Sequence, residues 1–454
     1  MVINVIPIRN FLCFNIIIFL ALSFPLQVIM MNPWPSTLPY FFFILLFLLS
    51  FNKLKLSINW FSWNRIDLVV VVFIFLVLLH SFWQLIFGII SISESLKTIF
   101  IYVFPVCFYW YFSRKARPSE IKAILIGIII SGVISALFFA YDSYMKIGFG
   151  IISDYSKQAE TYVNMRMNNY GEFSSMRAVL GYRSYGLMEK HSISAIWVVF
   201  AALASLSLIS HKRKYLRLIS LSIFGLMLII ALNFTSIAAY FLVIMLVEFH
   251  YYSLLSGKIS KAQRRSVIYL FSAIIIIISV INIYLNENMI EFILLNLTGQ
   301  IQLATTGGQQ HFSFFDLIIS SFNGYIVHCI NYPLIILFGD GFSDQYGMGK
   351  GGDVGFIETM ARLGLPFFTI SVYGIIRIFY ITLKNISPNR DKIYSFMNEV
   401  LIFSASIIFL LLIMEIHYSV WNNKSVLPIF FMALGLLRTI IWVRPSSINI
   451  PGNI

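Results

Sequence analysis

Charge is what this chain has least of, and negative charge is scarcest. Only 11% of its 454 residues are charged, and 19 acids stand against 32 bases. Soluble domains average about 25% charged residues, so this composition fits no soluble class. The acids are too scattered to form a carboxylate cage for a divalent metal. Cysteine is nearly absent. Cys13, Cys107 and Cys329 lie far apart, two of them in apolar runs, which gives neither a disulfide framework nor a thiolate metal site. Motifs of phosphate, zinc and redox chemistry are missing as well. Gly349-Lys350 is followed by Gly351, and Asp344 stands where a Walker loop needs its first glycine. There is no HExxH, GxSxG or CxxC, which argues against an ATPase, a zinc protease and a redox enzyme. The chain also lacks linkers, low-complexity tracts, internal repeats and any separate soluble domain.

What is present is apolar length. Hydrophobic residues make up 59% of the chain and mean hydropathy is +0.85. A helix needs about 20 apolar residues to cross a ~30 Å hydrocarbon core. Twelve runs reach or approach that length: 11–31, 38–51, 67–92, 97–112, 121–141, 191–210, 216–233, 235–252, 267–286, 361–383, 395–416 and 425–443. The second and fourth are short enough to be tilted or re-entrant. The first has the look of a signal-peptide core but no small-residue cleavage site follows Met31, so it reads as a retained anchor. The expected fold is all-α: a polytopic integral membrane protein of about 12 transmembrane helices, forming a single membrane domain over 1–454.

Lys and Arg set the orientation. One side, alternate loops together with Arg377 towards the inner end of its helix, holds 22 basic and five acidic residues, while the other holds 10 basic and 14 acidic. Both termini are therefore expected in the cytoplasm. The net charge of +13 is spread over short juxtamembrane loops, which explains it without nucleic acid. Two large loops, about 142–190 and 287–352, then fall outside. The second contains two amphipathic stretches, near Met289–Leu297 and Phe312–Leu337, suited to lie on a membrane surface. Large loops on one face point to chemistry or recognition there.

Two stretches stand out. The first loop carries Arg166, Arg177 and Arg183 where positive charge is otherwise sparse. It ends Gly181-Tyr182-Arg183-Ser184-Tyr185-Gly186 before an apolar helix. Arginine suits bidentate phosphate capture, and Tyr182 and Tyr185 suit stacking on sugar faces. The arginines also balance Asp154, Glu160 and Glu172 as solvated charges. The second loop ends in seven glycines between Gly339 and Gly355, which allow close backbone approach to a ligand. Asp353, Glu358 and Arg362 follow at the head of a span. Asp353 also fits a helix cap, and Glu358 and Arg362, four apart, also fit a simple pair. Other ionisable residues in or beside spans are His80, Arg377, Glu415 and His417. Such residues are functional suspects by default, although Arg377 can snorkel to the inner face. His311 and His328 read as interfacial or hydrogen-bonded histidines.

The Arg183-x-x-Gly186 entry to a helix resembles a motif of the bacterial O-antigen polymerase and O-antigen ligase superfamily. So do the glycine-rich stretch and Gly352-Asp353-Val354-Gly355-Phe356-Ile357-Glu358-Thr359-Met360-Ala361-Arg362-Leu363-Gly364-Leu365-Pro366. The twelve-span plan with large third and fifth outer loops resembles the polymerase branch. Ligases place a His-Asn pair where this chain has Asp353-Val354, and often Ser-Arg where it reads Asn233-Phe234-Thr235-Ser236. Both departures favour a polymerase.

The resemblance implies a GT-C-like, metal-independent membrane glycosyltransferase that needs no cofactor. It would sit in the bacterial inner membrane and act on undecaprenyl-diphosphate-linked oligosaccharides at the outer face. Its partners would be membrane lipid and a chain-length regulator. Charge developing on the departing diphosphate is assigned to Arg183, with Arg166, Arg177 or Arg362 assisting. Asp353 is the first candidate base for the acceptor hydroxyl and Glu358 the second. The alternatives are an O-antigen ligase that transfers glycan to lipid A–core, and a lipid-linked oligosaccharide flippase. A flippase would carry more charge within its spans and shorter outer loops.

Overall fold

The structure, a computed structural model, describes residues 5–32, 34–51, 65–87, 91–114, 116–149, 151–167, 186–188, 191–209, 213–230, 236–245, 314–339, 354–385, 395–415, 423 and 425–446. The expected span 267–286 and the stretch Met289–Leu297 lie outside these residues. Every regular element among the described residues is helical. In chain order the α-helices are α1 (Val5–Met30), α2 (Leu38–Phe51), α3 (Arg65–Ile86), α4 (Ile92–Val103), α5 (Val106–Arg114), α6 (Pro118–Phe149), α7 (Asp154–Met167), α8 (His191–Leu208) and α9 (Lys214–Ile230). Then come α10 (Phe314–Asn331), α11 (Leu334–Phe338), α12 (Gly355–Leu363), α13 (Leu365–Asn385), α14 (Ser395–Glu415) and α15 (Leu427–Ser446). Ser236–Met245 is a further apolar helical stretch.

Among the described residues four helices are long and apolar enough to cross a membrane: Ile6–Met30, Ile66–Ile86, Pro118–Asp142 and Phe396–Glu415. Shorter apolar helices coincide with most of the other expected spans. Two of those spans are broken. The run 97–112 is divided between α4 and α5 at Pro105, which lacks an N–H and disfavours helix in the residue before it. The run 361–383 is cut at Gly364, whose φ of 77° ends α12 before α13 begins. Elsewhere the chain is more helical than expected. α6 continues through Asp142 to Phe149, and α7 follows, so the first large loop begins as helix. Within the stretch Phe312–Leu337 the described residues, from Phe314, are helical too, interrupted at Pro333 between α10 and α11.

The helices group into two compact units. The first comprises Met1–Lys53 and Arg117–Ser313, and the second Leu54–Ala116 and Phe314–Ile454. In the first unit α8 is the central helix. Ala195, Trp197, Val198 and Phe200 are fully buried, and the α6 backbone comes very close at Gly132. A Cβ on Gly132 would lie 2.7 Å from the Trp197 carbonyl, a contact open only to the smallest residues. α6 starts with Pro118 at its first position, and Glu120 accepts the Arg117 backbone N–H at 3.1 Å, completing half of a capping box. In the second unit α15 lies against α5. Gly435 allows the Tyr109 carbonyl to approach, and Thr439 donates to the Phe112 carbonyl at 2.9 Å.

Several arginines counted as loop charges are in fact buried and engaged. Arg9 pairs with Glu120 at 2.8 Å. Arg438 donates to both oxygens of Asp67, at 2.8 and 3.1 Å, and Tyr109 also donates to Asp67. Arg217 caps α8 by donating to the carbonyls of Leu206 and Ile209. All three cysteines are free thiols.

Candidate functional site

The candidate site of the second unit is built on α12. This nine-residue helix is two-sided by spacing. Ile357, Met360 and Ala361 fall on one face and pack on Tyr325 and Cys329 of α10. Glu358, Thr359 and Arg362 fall on the other. All three are buried, although charged or polar. Burial of Glu358 and Arg362 is tolerable because they pair, Nη2 to Oε1 at 2.5 Å. Only one carboxylate oxygen of Glu358 is used in this way. Its Oε2 is buried and has no hydrogen-bond partner among the described residues. Thr359 donates its hydroxyl to Glu415, the last residue of α14.

Two glycines hold the C-terminal end of α12. Gly339 has φ 70° and would place a Cβ 2.2 Å from the Arg362 carbonyl oxygen. Gly364 would place one 2.5 Å from the Leu337 carbonyl oxygen. Any side chain at either point would drive the backbones apart. The first glycine of the run thus serves chain-to-chain contact, where close approach to a ligand was expected. The N-cap position of α12 is held by Val354, without a side-chain cap. Asp353, one residue earlier, lies outside the described residues.

Nearby, Trp83 of α3 stacks on Phe338 with ring centroids 5.9 Å apart. His80, Ser81 and Gln84 form a buried polar face on the same helix. His328 closes α10 with its ring 5.4 Å from that of Tyr332, and partial burial lowers its pKa by desolvation. Arg377 is exposed and lies over the Tyr380 ring. His311 and His417 lie outside the described residues.

The first unit holds the other motif. Arg177, Tyr182, Arg183 and Tyr185 lie outside the described residues. Arg166 is on α7, four positions after Tyr162, which packs edge-on against Phe24 of α1. The described chain resumes at Gly186, the glycine of the Arg-x-x-Gly motif. Its φ is 80°, and a Cβ there would meet Ser194 Oγ at 2.5 Å and Phe139 at 3.0 Å. Met188 N–H then donates to Ser194 Oγ at 2.8 Å, and Tyr155 donates to the Leu187 carbonyl at 2.6 Å. The motif glycine therefore seats the end of this loop against α6 and α8.

Two groups escaped sequence reasoning. Asp142 is fully buried, and its Oδ1 accepts hydrogen bonds from Ser153 at 2.6 Å and Ser156 at 3.0 Å. The Thr359–Glu415 bond spans 56 residues and no local pattern announces it. Glu415 itself was visible as an isolated acid at the end of an apolar run. Among the described residues no three His, Cys, Asp or Glu side chains gather as a metal site. Comparison with protein-family models, with curated proteins and with solved structures finds no match to the chain.

Proposed function

We propose that the protein is a membrane glycosyltransferase that polymerises undecaprenyl-diphosphate-linked oligosaccharide repeat units of O-antigen or a related surface polysaccharide. The observation that carries this reading is the buried Glu358–Arg362 pair, with one carboxylate oxygen unused among the described residues. It lies within the stretch that resembles the polymerase family. Joining two lipid-linked glycans needs little else from a protein. An acceptor hydroxyl attacks the anomeric carbon, the bond to the lipid diphosphate breaks, and the hydroxyl proton must be taken up. The leaving group is already activated, so no nucleotide is required. A carboxylate suits the proton, and guanidinium groups suit the developing diphosphate charge.

Arg183 is the proposed diphosphate partner, with Arg166, Arg177 or Arg362 assisting, and Tyr182 and Tyr185 are proposed to stack on sugar. Asp353 and Glu358 are the two proposed bases. The twelve-span, GT-C-like plan in a bacterial inner membrane, with both large loops outside and both termini inside, belongs to the same proposal. A chain-length regulator is its proposed protein partner. Purified protein given lipid-linked repeat units, with EDTA present, should make polymer. Deletion of the gene should leave lipopolysaccharide with a single repeat unit. Core without any repeat, alongside accumulated lipid-linked polymer, would instead identify a ligase. Loss of all outer-face repeats would identify a flippase.

A further inference from the structure

We infer that Glu415 is a positioning residue for Glu358, acting through the Thr359 hydroxyl; the inference rests on the proposed reading for its catalytic consequence. Glu415 stands where an acid is costly. It stands on the apolar helix α14 and is only 3% exposed. Burying a carboxylate on an apolar span is costly. Residues that violate local rules in this way cluster at functional sites. The structure gives this one a defined partner, the hydroxyl of Thr359.

Thr359 follows Glu358 directly. On an α-helix successive residues are about 100° apart, so anchoring one fixes the direction of the next. α12 is also held by backbone contacts at its C-terminal end and by apolar packing on Tyr325 and Cys329. Apolar contact is non-directional, and the hydrogen bond from Thr359 to Glu415 adds a directional tie. It thereby holds the unused Oε2 of Glu358 in one direction, as proton transfer to a base requires.

Thr359→Val keeps shape and removes the hydroxyl, while Thr359→Ser restores it. Glu415→Gln keeps an acceptor oxygen, and Glu415→Leu removes it. With purified protein and lipid-linked repeat units, Thr359→Val and Glu415→Leu should lower kcat by about 10- to 100-fold. KM should stay within about twofold, since ground-state binding is untouched. Thr359→Ser and Glu415→Gln should recover most of the rate. Hydrogen exchange over residues 355–363 should rise in Thr359→Val and return to wild-type values in Thr359→Ser. Unchanged exchange in Thr359→Val overturns the anchor. Raised exchange with wild-type kcat overturns the positioning role. If wild-type protein makes no polymer, the proposed activity fails, and exchange alone still decides whether the anchor exists.

Discussion

Each unit has a buried acid on a membrane-length helix, and the two acids are held differently. Asp142 lies on α6, which runs on to Phe149, and is gripped by Ser153 and Ser156, at the start of α7. Ser153 also accepts the Ser156 N–H at 3.2 Å, as a helix cap does. Asp142 therefore lies by the positive end of the α7 dipole, where an acid stabilises. Its partners anchor a helix whose Ala159 and Tyr162 pack on Phe24 and Val28 of α1. Glu415, on α14, accepts the hydrogen bond of the Thr359 hydroxyl in the middle of α12, beside the Glu358–Arg362 pair. The first acid serves a helix terminus and the second a residue next to a charged pair. A buried acid's role follows from its partner more than from its burial.

The units also share a device. In each, an acid in the first turn of a helix pairs with a distant arginine: Glu120 with Arg9, and Asp67 with Arg438. The acid sits at the favourable end of the dipole in both cases. These pairs provide the strongest test of the frame. Arg438→Ala removes the counter-charge of a buried carboxylate and should cost about 3–5 kcal/mol, read as thermal unfolding in detergent. Arg9→Ala should cost a similar amount, because each acid keeps a neutral donor, Tyr109 for Asp67 and the Arg117 N–H for Glu120. Replacing Asp67 and Arg438 together by Leu should recover most of the loss. A neutral Arg438→Ala would show that the pair is solvated and does not hold α3 to α15.

Next in size is Arg183→Ala, expected to lower polymerisation about 100- to 1000-fold, or about 3–4 kcal/mol, with normal insertion. Arg183→Lys should rescue poorly, because a point charge lacks the guanidinium fork. Wild-type banding from Arg183→Ala removes that residue from the chemistry.

In the second unit, Asp353→Asn and Glu358→Gln separate the two proposed bases. The true base should lose about 100-fold on conversion to its amide. Glu358→Gln should also cost stability by uncoupling Arg362. Asp353→Asn should leave unfolding unchanged, because the N-cap position belongs to Val354. Full activity of both variants would move the base elsewhere.

The smallest effect expected is that of Asp142→Asn. The amide oxygen still accepts from Ser153 and Ser156, so the loss is one charge near a helix terminus, about 1 kcal/mol. Thermal unfolding should register it and the polymerisation rate should not. A rate loss matching that of Glu415→Leu would erase the distinction between the two acids.

The sequence by itself determined the long apolar helices. Apolar runs of sufficient length mark α1, α3, α6 and α14, because a buried backbone must satisfy its own hydrogen bonds. The breaks at Pro105 and Gly364 were not read from the sequence: the expected spans 97–112 and 361–383 run through both. The Glu358–Arg362 pair was legible as an i,i+4 spacing, since one helix brings such residues together. Tertiary structure alone decided the rest. Asp67 meets Arg438 across 371 positions and Thr359 meets Glu415 across 56. Gly339 proved to be a backbone contact with Arg362, and the buried Arg9 and Arg438 proved to be partners of buried acids. None of these has a local signature, because each depends on which helix faces are packed together. Periodicity tells which face of a helix is apolar, but it does not tell what that face meets.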